Sequence, residues 1–270
     1  MMPMADMTGC DAIRTWLSQR CGIHYPAHKC DVLRQRLARV QRAYTLDDLG
    51  DLARALIDGN DRDLQLAVMH AASTNHTYFF REPEVLDIFR GTILPMVAQR
   101  DEIRIWSAAC STGEEAYTLA ILIAETFGLG ALKRTSILGT DLSAPVIATA
   151  ESGLFTGHRL ERLPKDIRQR YFLAEGGDSF RIRPELRGAC TFRQMNLKTR
   201  PYPFRKTFQA VFCRNLLYYF EKADQTATLR ALHDVTEPGG WLVTSVTENL
   251  RDLGTAWTPF SNGIYRKAAP

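Results

Sequence analysis

Apolar residues recur at helical spacing along the first part of the chain, between residues 11 and 71. Ile13, Trp16 and Leu17 share one helix face, and the next segment carries a similar set, Val32, Leu33, Leu37 and Val40. Strand-like alternation is missing here. Thr45 precedes an acidic run and is predicted to cap a further helix. The pattern therefore predicts an all-α N-terminal domain over residues 1–72.

Beyond a polar run at residues 73–77 the pattern changes to short apolar runs that alternate with amphipathic segments. The runs predict strands and the longer segments predict helices. Strands are expected at residues 103–106, 136–140, 208–213 and 241–246, with a turn at 238–240, and helices at 114–127, 145–151 and 222–235. Strands that alternate with helices indicate an α/β fold, in which helices cover both faces of a parallel sheet.

The alternation breaks between residues 155 and 195. Within this stretch, residues 171–183 resemble a hairpin that turns at Gly176 and Gly177. We therefore expect a small antiparallel β-subdomain over residues 155–195, inserted in a main domain over 91–270. Residues 73–90 lie between the two predicted domains and are predicted to form a linker.

Composition narrows the possibilities without identifying a function. The 34 Lys and Arg against 30 Asp and Glu give a net charge of +4, too small to indicate nucleic acid by itself. Six scattered cysteines without a C-x-x-C pair predict free thiols in a reducing compartment. The longest apolar stretch is too short to span a membrane, and the N-terminus lacks a secretory pattern. We expect a cytoplasmic protein.

The loop after the first predicted strand points to the chemistry of a cofactor. Small residues and Gly113 allow a sharp turn, and Asp141 at the tip of the next strand is well placed for ribose hydroxyls. The dinucleotide fingerprint and the phosphate-binding loop are both missing. Glu114 and Glu115 would repel phosphates but suit a cationic ligand. The loop therefore predicts S-adenosylmethionine (SAM), with Glu115 favoured as a ligand and Glu114 as a helix-dipole acid.

Several longer segments occur in a fixed order: TNHTYFFRE at 74–82, WSAACSTGEE at 106–115, GTD at 139–141, NL at 196–197, FCRNLLYYF at 212–220 and PGG at 238–240, followed by Ser245, Glu248, Asn249 and Leu250. Together they resemble the CheR family of chemotaxis-receptor methyltransferases over nearly the whole chain. The resemblance implies a Rossmann-like SAM-dependent methyltransferase domain with a small antiparallel β-subdomain, preceded by an all-α N-terminal domain.

The resemblance also implies roles for individual residues. The implied cofactor contacts are Asn75, Thr77, Arg81, Ala109, Glu115, Asp141, Asn196, Leu197, Arg214 and Asn215. Arg81 and Tyr219 resemble the residues that flank the transferred methyl group. On local grounds alone, Arg81 could be a surface partner of Glu82, and Tyr218 and Phe220 are predicted to pack in the core.

The implied reaction transfers a methyl group from SAM to glutamate side chains of methyl-accepting chemotaxis receptors, and S-adenosylhomocysteine is the second product. No metal is expected, because a glutamate carboxylate is already ionised at neutral pH. A zinc site made of Cys21, His24, His28 and Cys30 is disfavoured, since its spacing matches no common structural site.

Basic residues concentrate between residues 28 and 42, at Lys29, Arg34, Arg36, Arg39 and Arg42. They form either a solvated helix face or a surface that meets the acidic methylation helices of a receptor. We expect a monomer that neither inserts into a membrane nor binds nucleic acid.

Two other functions stay open at this stage. One is a SAM-dependent RNA methyltransferase, although the expected Asn-Pro-Pro-Tyr or paired cysteines are replaced by Cys213, Arg214, Asn215 and Leu216. The other is a SAM-binding receptor adaptor that does not catalyse transfer.

Overall fold

The N-terminal part of the protein is helical throughout, as predicted. The computed structural model describes residues 4–269, and its first helices are α1 (Met4–Cys21), α2 (Cys30–Ala43), α3 (Leu49–Asp58) and α4 (Arg62–Ala72). Ile13, Leu33 and Leu37 are fully buried in a core that these helices share. Most of the apolar face expected from the sequence packs inward. Val32, which was assigned to this face, is exposed, so that part of the prediction was wrong.

The start of α3 differs from the prediction. Asp48 caps this helix, because its side chain accepts a hydrogen bond from the Asp51 amide at 2.8 Å. Thr45 lies in the preceding turn with a φ of 55°. The prediction that Thr45 is the cap was wrong. Asp48 directly precedes Leu49, so its carboxylate is the one placed to accept from the free amides of the first turn of α3.

The prediction that all cysteines are free was wrong for two of them. Cys10 in α1 and Cys30 at the start of α2 form a disulfide, with their Cα atoms 6.3 Å apart. The helix packing that brings them together leaves no signal in sequence spacing. The remaining cysteines are free: Cys21, Cys110, Cys190 and Cys213.

With Cys30 bonded to Cys10, the set considered for zinc is incomplete. Within residues 4–269 no cluster of His, Cys, Asp and Glu is arranged to hold a metal.

The larger part of the chain forms a seven-stranded sheet, and the predicted α/β class is confirmed. Its strands are β1 (Ile103–Ser107), β2 (Thr135–Asp141), β6 (Cys190–Gln194), β7 (Phe208–Phe212), β8 (Thr236–Val243), β9 (Thr258–Ser261) and β10 (Ile264–Arg266), in the order β6-β2-β1-β7-β8-β10-β9. The first five in this order are parallel, and β9 and β10 form an antiparallel edge that the sequence did not predict.

Successive residues of the central strands enter two different cores. Ile105 packs into the core on one face of the sheet, and Trp106 packs into the core on the other. The helices beside this sheet are α5 (Pro83–Ile88), α6 (Leu94–Val97), α7 (Glu114–Phe127), α8 (Ala144–Ser152), α11 (Pro184–Ala189) and α12 (Lys222–Asp234). No helix among the described residues is both long and apolar enough to cross a bilayer.

A second, three-stranded sheet lies in the region where the alternation breaks. It contains β3 (Leu154–Thr156), β4 (Phe172–Gly176) and β5 (Ser179–Ile182), accompanied by α9 (Gly157–Leu160) and α10 (Lys165–Tyr171). The predicted hairpin is β4 and β5, which pair antiparallel around Gly177. The small antiparallel sheet is therefore confirmed.

Two details of the sequence-based elements were wrong. The predicted insertion over 155–195 includes β6, which pairs with β2 in the large sheet. Only Phe192 is buried in this edge strand, so its pattern carries little signal. The predicted turn at 238–240 lies within β8, where the register with β7 shifts. The division of the chain into 1–72, 73–90 and 91–270 remains our proposal.

Candidate active site

A cavity of about 220 Å³ lies where β1, β2, β6 and β7 end. The chain runs outward from β1 through β2 to β6, and then crosses to β7 on the other side of β1. Ligands of open α/β sheets bind at such a crossing point. All residues predicted for cofactor binding or catalysis line this cavity: Asn75, Thr77, Arg81, Ala109, Glu115, Asp141, Asn196, Leu197, Arg214, Asn215 and Tyr219.

The first loop separates its two glutamates. Gly113, with a φ of 95°, turns the chain into α7. Glu115 faces the cavity and accepts hydrogen bonds from the Ser107 hydroxyl at 2.6 Å and from Arg214 at 3.1 Å. Glu114 is fully buried, does not line the cavity, and forms an ion pair with Arg159. Glu114 thus lies in the first turn of α7 and away from the cavity, as its predicted helix-dipole role requires, and the ion pair with Arg159 was not predicted.

Asp141 is held at the end of β2 by two backbone amides. One carboxylate oxygen accepts from the Ser111 amide and the other from the Ser143 amide, each at 3.0 Å. Burial raises the pKa of Asp141 above its usual range. Each oxygen keeps a further lone pair for a ligand. The carboxylate is therefore placed and oriented before any ligand arrives.

The N-terminal domain and the linker are each connected to the Asp141 carboxylate through one intermediate serine. His70 of α4 lies 2.5 Å from the Ser143 hydroxyl, measured from its Nδ1 atom. The Ser111 hydroxyl donates to the backbone oxygen of Asn75 at 3.2 Å. Both residues that bind Asp141 through their amides are thus bonded to parts of the chain outside the large sheet.

Arg214 connects the loop after β7 with the linker. Its side chain is only 3% exposed and lies 3.3 Å from Glu82 and 3.1 Å from Glu115. It also donates to the backbone oxygen of Arg81 at 2.5 Å. Burial would raise the pKa of Glu82, but hydrogen bonds from Ser245 and the charge of Arg214 lower it overall. The buried cation thus has two carboxylate partners, which offsets its desolvation.

Glu248 fixes the loop after β7. Its carboxylate accepts hydrogen bonds from four backbone amides, at distances of 2.7–3.0 Å: Asn215, Leu216, Leu217 and Ser245. Burial is the largest influence on its pKa and raises it. The loop includes Asn215, whose φ of 56° requires such support. Glu248 was noted in the sequence only as part of a similar segment, without a role.

Arg81 and Tyr219 approach the cavity from different elements. Arg81 lies in the linker and donates to the backbone oxygen of His76 at 2.9 Å. Tyr219 follows β7, and its backbone oxygen accepts from the His24 amide at 2.7 Å. Its ring centre lies 4.5 Å from that of Tyr218. Tyr218 is 50% exposed, so the prediction that it packs in the core was wrong, whereas Phe220 is buried as expected.

Asn196 and Leu197 follow β6 and also line the cavity. The Asn196 side chain donates to the backbone oxygen of Arg20 at 2.8 Å, and Leu197 is buried. Sequence patterns missed Cys21 and Ile23, which enter the cavity wall from the N-terminal domain. Cys21 ends α1 and Ile23 lies two residues beyond it; both are ordinary apolar residues, so only the packing of the two domains reveals them.

The residues present fit SAM. Two carboxylates, Glu115 and Asp141, and the buried cation Arg214 face one cavity. This set offers acceptors for an ammonium group and ribose hydroxyls and a donor for a carboxylate. The fold and this cavity are those expected of a SAM-binding protein.

Comparison with known families supports the class and narrows it. The family model of the CheR methyltransferase SAM-binding domain matches residues 75–263. The model of the CheR methyltransferase all-alpha domain matches residues 9–70. The chain belongs to the CheR methyltransferase family.

Individual relatives resemble the chain over most of their length. The chemotaxis protein methyltransferase of Salmonella typhimurium is 36% identical over 241 residues, 87% of this chain and 81% of that protein. That of Escherichia coli is 33% identical over 254 residues, 92% and 86% of the two chains. Chemotaxis protein methyltransferase 1 of Vibrio cholerae is 32% identical over 242 residues, 88% of each.

Proposed function

We propose that this protein is a protein-glutamate O-methyltransferase that converts glutamate side chains of chemotaxis receptors into methyl esters. The observation that carries the proposal is the position of Arg81 and Tyr219 on the same cavity as the carboxylates Glu115 and Asp141. A cation and a phenol thus stand beside the predicted cofactor site, which suits an acceptor that is itself an anion.

Methyl transfer to a carboxylate requires the protein mainly to position the two reactants. SAM supplies a methyl group on a positively charged sulfur that is a good leaving group. A glutamate carboxylate has a reference pKa of about 4.3, so it arrives ionised and requires no general base. Alignment of two reactants contributes up to about 7–11 kcal/mol in well-oriented cases. The task of the site is therefore to hold the carboxylate in place and to exclude water.

Arg81 and Tyr219 are the proposed catalytic residues. Arg81 offsets the desolvation of the acceptor carboxylate, or holds the carboxylate of SAM itself, through charge-assisted hydrogen bonds. Tyr219 orients the attacking oxygen through its hydroxyl. The remaining predicted residues, led by Asp141 and Glu115, bind the cofactor.

The proposed partner is a chemotaxis receptor with acidic methylation helices. The related proteins are named chemotaxis protein methyltransferases. Lys29, Arg39 and Arg42 are exposed at or on α2 and offer positive charge to such a helix. Arg36 does not belong to this surface, because it donates to the backbone oxygens of Ala72 and Ser73. We further propose that the protein acts in the cytoplasm as a monomer.

Localising the methyl group tests this proposal. The protein is incubated with SAM and a purified chemoreceptor signalling domain, and the receptor is analysed by tandem mass spectrometry. We expect a single methyl group on glutamate side chains and none after the same glutamates are replaced by glutamine. Methylation of another residue type would contradict the proposal, and so would labelling that disappears after ribonuclease treatment.

A further inference from the structure

Tyr78 of the linker lies at the cavity wall and is surrounded by basic side chains. The guanidinium carbon of Arg81 is 5.7 Å from the centre of the Tyr78 ring, and that of Arg162 is 4.7 Å away. The ring of His76 lies 5.9 Å from the same ring, centre to centre. We call these four residues the Tyr78 cluster. Cations stack on tyrosine because the ring face carries negative charge.

Arg162 is the member of the Tyr78 cluster that no other role explains. It lies between α9 and α10 in the inserted region and is exposed. Within the part of the chain that the structure describes, it makes no hydrogen bond or ion pair, and its stacking on Tyr78 is its one specific contact. Two other arginines of this region are paired, Arg159 with Glu114 and Arg170 with Glu125, whereas Arg168 stacks on Phe180.

The charge of the Tyr78 cluster is poorly compensated by the protein. Arg81 lies 3.9 Å from Glu82, too far for a hydrogen bond, and Glu82 is already bound by Asn215 and Ser245. Glu161, next to Arg162 in sequence, pairs instead with His158 at 3.3 Å. Arg81 lines the cavity, and Arg162 lies beside it, stacked on the lining residue Tyr78. Neither guanidinium group has a carboxylate that hydrogen-bonds to it.

We propose that Arg162 is a specificity-determining residue that binds a second carboxylate of the acceptor, close to the glutamate that is methylated. The inference rests on the proposed function, in which the acceptor is an acidic helix. Residues three or four positions apart on a helix lie on one face, about 5–6 Å apart between Cβ atoms. In this arrangement Arg81 acts at the glutamate that is methylated. Arg162 binds another glutamate, one turn away from it on the same acceptor helix.

Stacking on Tyr78 makes Arg162 suited to this role. The ring restrains the guanidinium group and lowers the entropy lost when a carboxylate binds, while the planar fork keeps its hydrogen-bond donors available. An exposed ion pair contributes about 0.2–1 kcal/mol, which corresponds to as much as about fivefold in kcat/KM. Arg162 therefore tunes the choice of glutamate and is not required for methyl transfer itself.

The test uses the full chain and a chemoreceptor signalling domain in which one methylated glutamate has been mapped. A second version carries glutamine at the neighbouring glutamate one turn away. We expect the unmodified enzyme to prefer the first acceptor by about two- to fivefold in kcat/KM, mainly through KM and more strongly at low salt. Arg162→Gln should remove this preference and leave SAM affinity unchanged, and Arg162→Lys should keep part of it.

Arg168 provides a matched control. It belongs to the same inserted region and stacks on Phe180 at 4.2 Å, but Phe180 does not line the cavity. Arg168→Gln should therefore keep the preference. If Arg162→Gln also keeps it, or slows both acceptors equally, the assignment is overturned. Failure of the unmodified enzyme to methylate any receptor glutamate would instead overturn the proposed function, and this inference with it.

Discussion

Asp141 is the side chain on which cofactor binding depends most in this account. Its two oxygens are already oriented by the Ser111 and Ser143 amides. Asp141→Ala should weaken SAM binding by about tenfold or more, because a charge-assisted hydrogen bond is worth about 1.5–3 kcal/mol. Isothermal calorimetry measures this directly, with exposed Asp47→Ala as a control that binds normally. Unchanged affinity in Asp141→Ala would remove the ribose assignment.

Tyr219 is expected to act in transfer and not in cofactor binding. Tyr219→Phe removes the hydroxyl and keeps the ring that contacts Tyr218. The single-turnover rate should fall by about tenfold, the effect of losing one hydrogen bond of about 1.4 kcal/mol, while SAM affinity stays the same. Tyr218→Phe is the matched control and should be nearly neutral. If only the Tyr218 variant is slow, the catalytic tyrosine has been misassigned.

The sequence predicted well which charged side chains meet in the cavity. Glu115 and Asp141 follow predicted strands, so the rule for strand ends was enough to bring them together. Glu82 and Glu248 were missed as loop-fixing residues. Their partners are backbone amides and side chains far away in the chain, and no local pattern records such contacts.

At the scale of elements, α4 is coupled to the cofactor site through His70. The His70 ring binds the Ser143 hydroxyl, and the Ser143 amide binds Asp141. We predict that His70→Ala weakens SAM binding by about three- to tenfold, because loss of one hydrogen bond frees Ser143. Ser143→Ala should have a similar effect.

The double variant distinguishes coupling from independent damage. If His70 acts through Ser143, combining His70→Ala with Ser143→Ala should weaken SAM binding no more than either change alone. Affinities measured by calorimetry that multiply in the double variant would show that the two residues act separately.

Elements with a buried, periodic pattern were predicted well, and edge elements were not. The predicted helix at residues 114–127 has the same bounds as α7, which is buried from Ala116 to Ala124. β6 and β9 lie at the edges of the large sheet, where most side chains are exposed. Without a buried face a strand loses the alternation that identifies it.

At the scale of the whole molecule, the cavity is completed by both parts of the chain. Cys21 and Ile23 line it from the N-terminal domain, and the His24 amide binds the backbone oxygen of Tyr219. Gly22, with a φ of 81°, allows this approach, since a Cβ atom there would lie 2.8 Å from the Phe220 ring. The sequence predicted two domains, but their packing against each other could not be derived from local patterns.

The central claim is that the protein forms methyl esters on receptor carboxylates. The most direct measurement is transfer of a radiolabelled methyl group from SAM to purified chemoreceptor signalling domains, followed by alkaline treatment. We predict label that is released as methanol, because carboxyl methyl esters are hydrolysed by base. Intact SAM binding without label on any of several receptors, or label that resists alkali, would contradict the claim.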